Sequence, residues 1–121
     1  MRVLVVEDNQ DLAKLFCDLL QVMGCETDMA FNARSALENA RQTAPDIVFC
    51  DLRLPGGKDG FDIARELRAD RSLAGTRLIA VSGSVDEDER RRAFEAGFER
   101  IFVKPVKFAE MQEVLEQYRR A

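Results

Sequence analysis

Five polar side chains stand at the end of four apolar, β-like runs of the sequence. Glu7 and Asp8 follow "RVLVV", Asp51 follows "DIVFC", Ser82 ends "RLIAVS", and Lys104 follows "RIFV". Taken singly, each of these residues is most often a loop residue or a helix cap. Together they supply three carboxylates, a hydroxyl and an ammonium group, and crowded carboxylates shift one another's pKa in the way that functional sites do.

These side chains have the chemistry of a cation site. Three carboxylates against one ammonium leave two negative charges, a balance suited to one divalent cation. The chain contains no His, and its three Cys lack close metal-ligand spacing, so the ligands would be oxygens. Oxygen ligands favour Mg²⁺, with Mn²⁺ as the alternative. The sequence therefore predicts a magnesium site that includes Glu7, Asp8 and Asp51.

The elements that position these residues alternate between β-like and helical segments. Four of the five β-like runs are continuously apolar at their centres, which is typical of strands buried on both faces, whereas "ETDMA" is more polar and fits an edge strand. This alternation predicts an α/β fold with a parallel sheet, whose ligands bind beyond the carboxyl ends of the strands. The predicted strands are Arg2–Val6, Glu26–Ala30, Asp46–Cys50, Arg77–Ser82 and Arg100–Val103.

Apolar residues between the strands recur at helical spacing. In the first helix the predicted apolar face consists of Leu12, Leu15, Phe16, Leu19 and Met23, with Gly24 as the stop. The faces predicted for three more helices are Ala33, Leu37, Ala40 and Ala44 (capped by Asn32), then Ile63, Ala64 and Leu67 within residues 60–70, and finally Phe108, Met111, Leu115 and Tyr118.

The remaining helix is strongly charged, with the sequence "DEDERRR" at residues 86–92. Acids precede bases at i, i+4 in the pairs 86/90, 87/91 and 88/92, a pattern that supports a solvated helix. Its apolar face is thin, mainly Ala93, Phe94 and Ala96. We therefore predict that it is the most loosely held helix.

Length and composition indicate one globular domain over residues 1–121. No apolar stretch is long enough to span a bilayer, and the N-terminus lacks the pattern of an export signal. Cys17, Cys25 and Cys50 are odd in number and lie in or beside apolar runs, which favours reduced, buried thiols and a cytoplasmic location. The net charge of −4 argues against direct nucleic-acid binding.

Four motifs in this order resemble the receiver domain of two-component response regulators: "VVEDN", "DLRLP", "VSG" and "KP". The resemblance covers essentially the whole chain, and the chemotaxis regulator is a member of the same family. It implies a flavodoxin-like, doubly wound, five-stranded parallel sheet with five helices and strand order 2-1-3-4-5.

The resemblance also implies a phosphoacceptor switch rather than an enzyme in the ordinary sense. Asp51 would accept a phosphoryl group from the phosphohistidine of a histidine kinase or phosphotransfer protein. The domain would assist both its own phosphorylation and its own dephosphorylation, which is slow. Asp8, Asp51 and the backbone carbonyl of Arg53 would bind Mg²⁺ directly, with Glu7 acting through a water. The switch would then signal to a downstream protein or an attached effector domain, through the fourth helix, fifth strand and fifth helix.

Other residues receive roles by the same resemblance. Lys104, Ser82 and the amide of Gly83 would bind the phosphoryl oxygens, while the side chains of Arg53 and Ser84 would tune the phosphoryl lifetime. The chain departs from the family in two places. The switch position, often Tyr or Phe, is Ile101, and the loop from Pro55 to Gly60 is one residue longer than the commonest spacing.

Several alternatives compete with this interpretation. A pseudo-receiver would bind partners without phosphorylation, and a receiver excised from a hybrid sensor kinase or larger regulator would share every motif. A hydrolase of the haloacid dehalogenase type is disfavoured because it needs a second Asp where this chain has Arg53. A flavodoxin-like flavin binder is disfavoured because Glu7 and Asp8 would repel its phosphate.

Overall fold

Five parallel strands form one sheet in the order β2-β1-β3-β4-β5, and helices pack on both of its faces. The computed structural model describes residues 1–120 and confirms the predicted doubly wound fold and strand order. A short 3₁₀ turn at Arg71–Leu73 precedes the fourth strand. The elements are β1 Arg2–Val6, α1 Gln10–Val22, β2 Glu26–Ala30, α2 Ala33–Thr43, β3 Ile47–Asp51, α3 Gly60–Ala69, β4 Arg77–Ser82, α4 Glu87–Ala96, β5 Arg100–Val103 and α5 Phe108–Arg120.

The side chains of the central strands alternate between two apolar clusters, one on each face of the sheet. On β1, Leu4 and Val6 enter the cluster that α2, α3 and α4 cover, while Val3 and Val5 enter the one beneath α1 and α5. This burial on both faces explains why the central strands read as continuous apolar runs. β2 lies at the edge of the sheet and is buried mainly at Ala30, as its polar sequence predicts.

Asn or Asp residues begin the first four helices close to the strand ends. Each N-cap side chain accepts a hydrogen bond from the amide three residues later, which replaces a bond that the helix itself cannot make. These caps keep the connections short and hold the helix N-termini near the carboxyl edge of the sheet. The caps are Asn9 for α1, Asn32 for α2, Asp59 for α3 and Asp86 for α4.

The predicted core face of α1 is correct only in part, because Phe16 and Met23 are half-buried and pack against the cluster beneath α1. Ala13, Cys17 and Leu20 are its buried residues, whereas Leu12 and Leu15 are 46% and 56% exposed. Small side chains face the sheet, so the helix approaches it closely and the large leucines are displaced onto the surface. The helix is rotated by about one residue from the face that hydrophobicity alone predicts.

The third strand begins and ends one residue later than predicted. Asp46 lies before the strand, where its carboxylate accepts a hydrogen bond from the amide of Arg2 at 2.8 Å. Asp51 is the last residue of β3 and lies opposite Val81 of β4. The carboxylate is therefore carried by the strand itself rather than by the loop that follows.

The three ion pairs predicted along α4 are not made by the described residues. Asp86 is used as the N-cap, Arg91 pairs with Asp88 and Glu95, and Arg92 lies over the ring of Phe61, 4.3 Å from its centroid. Only Ala93 and Ala96 of this helix are buried, and Phe94 is 46% exposed. The thin apolar face is thus confirmed, and the loose anchorage stays a prediction.

All three cysteines are buried and free of disulfide bonds within the described chain. Burial is the main cause that raises the pKa of each thiol above its ordinary value. The three side chains therefore remain neutral parts of the core. Across residues 1–120, no helix is both long and apolar enough to cross a membrane.

Candidate functional site

Asp51 lies at the centre of the carboxyl edge of the sheet, and its carboxylate is held at both oxygens. The Arg53 amide donates to Oδ1 at 3.0 Å, and the Lys104 ammonium donates to Oδ2 at 2.8 Å. The residue is 7% exposed, so the carboxylate is largely shielded from water. These two bonds fix its orientation without covering both faces of the group.

Lys104 connects the ends of three strands. Its backbone amide donates to the Ser82 carbonyl at 2.8 Å, which continues the pairing of β5 with β4. Its ammonium contacts Glu7 at 2.7 Å as well as Asp51 at 2.8 Å. Burial alone would lower the pKa of Lys104, but hydrogen bonds and negative charges from Asp51 and Glu7 outweigh it and raise that pKa. The ammonium is therefore charged at neutral pH.

Three carboxylates converge beside this lysine. One oxygen each from Glu7, Asp8 and Asp51 lies within 4.8 Å of the other two. The side-chain hydrogen bond from Glu7, then burial, then the charge of Glu7 raise the pKa of Asp8. A cluster of hard oxygen ligands with mutual repulsion fits a small divalent cation, since the cation would relieve that repulsion.

The predicted phosphoryl-binding residues of β4 lie at the rim but do not contact Asp51. The buried Ser82 hydroxyl donates to the Ser84 carbonyl at 2.9 Å, so it is directed along its own loop. Gly83 and Ser84 are exposed. A Cβ on Gly83 would meet no described atom within 4 Å, so its surroundings supply no steric reason for glycine at this position.

Arg53 joins the site to α4. Its amide holds Asp51, while its exposed side chain forms an ion pair with Glu89 in the first turn of α4. The charge pattern of residues 86–92 predicted only a solvated helix and gave no indication of this contact. The one signal available was an Arg two residues after the central Asp, opposite an acidic helix start.

Ile101 is half-buried and packs on the cluster beneath α4, opposite Ala80 of β4. Phe102 points to the other face of the sheet, where its ring stacks on Phe49 at 6.3 Å. An aliphatic side chain lacks the aromatic ring that Tyr or Phe would place at this position. The departure at the switch position is thus a real difference in chemistry.

The long loop after β3 requires both of its glycines. Gly56 and Gly57 have φ angles of 93° and 87°, which are strained for any side chain. Gly60 matters for another reason, because a Cβ there would lie 2.4 Å from the Asp51 carbonyl oxygen. The absence of a side chain at Gly60 lets α3 begin directly against Asp51. The sequence pattern did not predict this role.

An apolar cavity of about 370 Å³ opens beside the carboxylates. Its lining includes Leu12 and Leu15 of α1, Pro105 and Val106, and the polar residues Glu7, Asp51 and Lys104. Leu12 and Leu15 line this cavity, and a prediction that buried them in the core therefore gave no indication of it.

Comparison with known proteins gives a family match over nearly the whole chain. Residues 3–116 match the response regulator receiver domain. The polar-differentiation response regulator DivK of Brucella anthropi is 32% identical over 116 residues, covering 96% of this chain and 94% of DivK. Hybrid signal transduction histidine kinase L of Dictyostelium discoideum is also 32% identical, over 97% of this chain but only 7% of the kinase.

Solved structures are similar over their whole length. The receiver domain of sensor histidine kinase PA1611 from Pseudomonas aeruginosa PAO1, which has a magnesium ion in its active-site cleft, is 27% identical with a TM-score of 0.89. The two chains are covered to 99% and 98%. The signal receiver domain of a DNA-binding response regulator from Colwellia psychrerythraea 34H is 25% identical with a TM-score of 0.92, covering 100% and 99%.

Proposed function

The chain belongs to the response regulator receiver domain family of two-component signalling, and we propose that it is a phosphoacceptor switch in which Asp51 receives the phosphoryl group. The observation that carries the proposal is the placement of one shielded carboxylate between Lys104 and two further acids, Glu7 and Asp8. Glu7 is also held at both oxygens, by the Asn9 amide and the Lys104 ammonium, but Asp51 alone of the three acids lies on the central strand of the sheet.

The proposed transfer uses Asp51 as the nucleophile. An Asp51 carboxylate oxygen attacks the phosphorus of a partner's phosphohistidine, the new O–P bond forms, and the N–P bond breaks with its electrons returning to the imidazole. Little covalent chemistry falls to the other residues, so positioning and charge neutralisation dominate. Lys104 is already in place to offset charge on one transferring oxygen, because its ammonium lies 2.8 Å from Asp51.

Asp8 and Asp51, with the Arg53 carbonyl, are proposed as the direct ligands of Mg²⁺, and Glu7 is proposed to act through a water. When bound, the cation supplies charge neutralisation at the transferring oxygens. The magnesium ion in the PA1611 receiver supports this choice over Mn²⁺.

The proposed switch begins at the end of β4. The Ser82 hydroxyl would leave the Ser84 carbonyl and donate to a phosphoryl oxygen, while the Gly83 amide approaches another. Phosphoryl oxygens are stronger acceptors than a neutral carbonyl, which gives the exchange its driving force. The movement would bias the surface formed by α4, β5 and α5, which already exposes Phe94, Val103 and Phe108 to a downstream partner or effector domain.

The phosphoryl donor, the tuning residues and the location are part of the same proposal. A histidine kinase or phosphotransfer protein would donate the phosphoryl group, and the side chains of Arg53 and Ser84 would set its lifetime. We place the domain in the cytoplasm, where its three buried thiols remain reduced.

Beryllofluoride, a stable mimic of the phosphoryl group, tests the proposal. Added with Mg²⁺, it should shift the amide NMR signals of Ser82 and Gly83 and of α4, and EDTA should reverse the change. Asp51→Asn should abolish the response. A native protein that does not respond, or a variant that responds equally, would assign the chain to the phosphorylation-independent pseudo-receivers instead.

A further inference from the structure

Glu89 has two potential partners, and the structure shows it with only one of them. It stands at the third position of α4, where an acid can form a capping box by accepting from the amide of the N-cap residue. The first half of that box is present, because the Glu89 amide donates to Asp86 at 2.7 Å. The return bond from the Asp86 amide is not made in the described chain, and the Glu89 carboxylate pairs with Arg53 instead.

Helix α3 shows that this chain can complete such a box. Asp62 donates its amide to Asp59 at 3.2 Å, and its carboxylate accepts from the Asp59 amide at 3.0 Å. The two helices start in the same way, with an Asp cap and an acid three residues later. Asp62 completes its box while it also pairs with Arg65 of its own helix. Glu89 instead pairs with Arg53, which lies outside its helix in the loop after β3.

Arg53 is also the residue best placed to respond to a new charge on Asp51. Its amide is 3.0 Å from the Asp51 carboxylate, so the start of its side chain lies beside the phosphoacceptor. Its side chain is 68% exposed and free to turn, whereas the Glu89 side chain is 15% exposed and confined to the rim. A phosphoryl group offers a guanidinium stronger, more numerous acceptors than one carboxylate does.

We propose that Glu89 is a two-position element: it holds the Arg53 guanidinium at rest, and it turns to the Asp86 amide when a phosphoryl group on Asp51 attracts Arg53. The proposal rests on the proposed function and adds to it a route from the site to α4. In both positions the Glu89 carboxylate has a partner and lies at the positive N-terminal end of the helix. Neither state leaves the carboxylate unpaired, so a change in charge at Asp51 can shift their populations.

This exchange would act where the usual aromatic coupling is absent. Ile101 has no aromatic ring, while Arg53 and Glu89 connect the loop after β3 directly to the first turn of α4. Glu89 is thus a positioning residue, which acts through Arg53 and not on the phosphoryl group itself.

The substitution Glu89→Gln distinguishes the two arrangements of this side chain, paired with Arg53 or bonded to the Asp86 amide. Glutamine accepts a hydrogen bond and completes a capping box, but it carries no charge for an ion pair with Arg53. Glu87→Gln is the matched control, because it removes the same charge from the same helical turn and Glu87 has no ion pair in the described chain. The readouts are the Asp86 amide signal and the Arg53 Nε–Hε signal in NMR spectra, with and without Mg²⁺ and beryllofluoride.

In the native protein, beryllofluoride should move both signals. In Glu89→Gln the Asp86 amide should already lie near its activated position before any addition, and beryllofluoride should bind about two- to fivefold more tightly, the scale of one lost surface ion pair. The Glu87→Gln protein should behave like the native one. The proposal is overturned if the Asp86 signal of Glu89→Gln matches that of the resting native protein.

The signals of Ser82 and Gly83 separate this failure from that of the proposed function. If they respond to beryllofluoride while Arg53 and Asp86 stay unchanged, the two-position element is refuted and the phosphoacceptor stands. If no signal responds, both proposals fall.

Discussion

Replacing Lys104 with Met should destabilise the fold far more than an ordinary lysine substitution. The ammonium is within 2.8 Å of two carboxylates whose side chains are each 10% exposed, and methionine keeps the apolar stem while removing the charge. Loss of one partner from a fully buried pair costs roughly 3–5 kcal/mol. Because 31% of the Lys104 side chain is exposed, solvent screening reduces this, and we expect a loss of about 2 kcal/mol at neutral pH.

Lys58→Met provides a matched control. Lys58 also lies 2.8 Å from a carboxylate, that of Glu66, but the two side chains are 56% and 36% exposed. An exposed pair of this kind contributes ~0–1 kcal/mol, so the control should lose less than half as much stability as Lys104→Met. The two substitutions are chemically identical and differ in the burial of the pair that they break.

Urea unfolding, followed by circular dichroism in EDTA, measures both variants. A loss of about 2 kcal/mol corresponds to a midpoint about 1 M lower at an unchanged slope. The folded-state pKa of Lys104 is raised, so its stabilisation is complete below the unfolded value and is lost as the pH rises through the folded value. The difference between native protein and variant should therefore shrink above pH 10.5. Equal losses in the two variants would refute the reasoning.

Five further substitutions, two of them controls, test three other parts of the structure. Gly60→Ala should cost about 1–3 kcal/mol in urea unfolding, because its Cβ meets the Asp51 carbonyl at 2.4 Å, while Gly75→Ala has open space and should change stability by less than about 0.5 kcal/mol. Leu20→Ala should cost about 2–5 kcal/mol and Leu12→Ala less than about 1 kcal/mol; comparable losses would return α1 to its predicted face. Asp8→Asn should stabilise the metal-free protein at pH 7 by up to about 1 kcal/mol, because a raised carboxyl pKa means that its ionisation opposes folding. It should also weaken the stabilisation by Mg²⁺ seen in thermal melts, and an unaltered Mg²⁺ response would exclude Asp8 as a ligand.

The sequence predicted the sheet well because buried parallel strands carry their own signal. Continuous apolar runs located four of the strands to within one residue, the more polar edge strand was also placed correctly, and the polar residues after the strands marked the correct edge. The bounds of β3 were missed by one residue because an acid flanks the apolar run at each end, Asp46 before it and Asp51 after it. Only tertiary pairing with Arg2 and Val81 decides which of the two acids belongs to the strand.

The helices were harder to predict because hydrophobicity favours large residues for the core. In α1, closeness to the sheet selects Ala13 and Cys17, and the leucines line a cavity. In α4, local spacing predicted ion pairs within the helix, yet Glu89 and Arg92 find their partners on other elements, at Arg53 and Phe61. A charged side chain can pair with any of several nearby groups, and sequence spacing identifies only those on its own helix.

The grouping of Glu7, Asp8, Asp51 and Lys104 was predictable because strand ends share one edge of a parallel sheet. The orientation of Ser82 toward Ser84 and the need for Gly60 were not, since both depend on the path of the backbone.

The central claim is that Asp51 carries the phosphoryl group, and intact-protein mass spectrometry after incubation with acetyl phosphate and Mg²⁺ tests it most directly. We predict a mass increase of one phosphoryl group, localised to Asp51 by peptide fragmentation, which is absent with EDTA and absent in Asp51→Asn. An unmodified native protein, or a variant that gains the same mass at the same rate, would contradict the account.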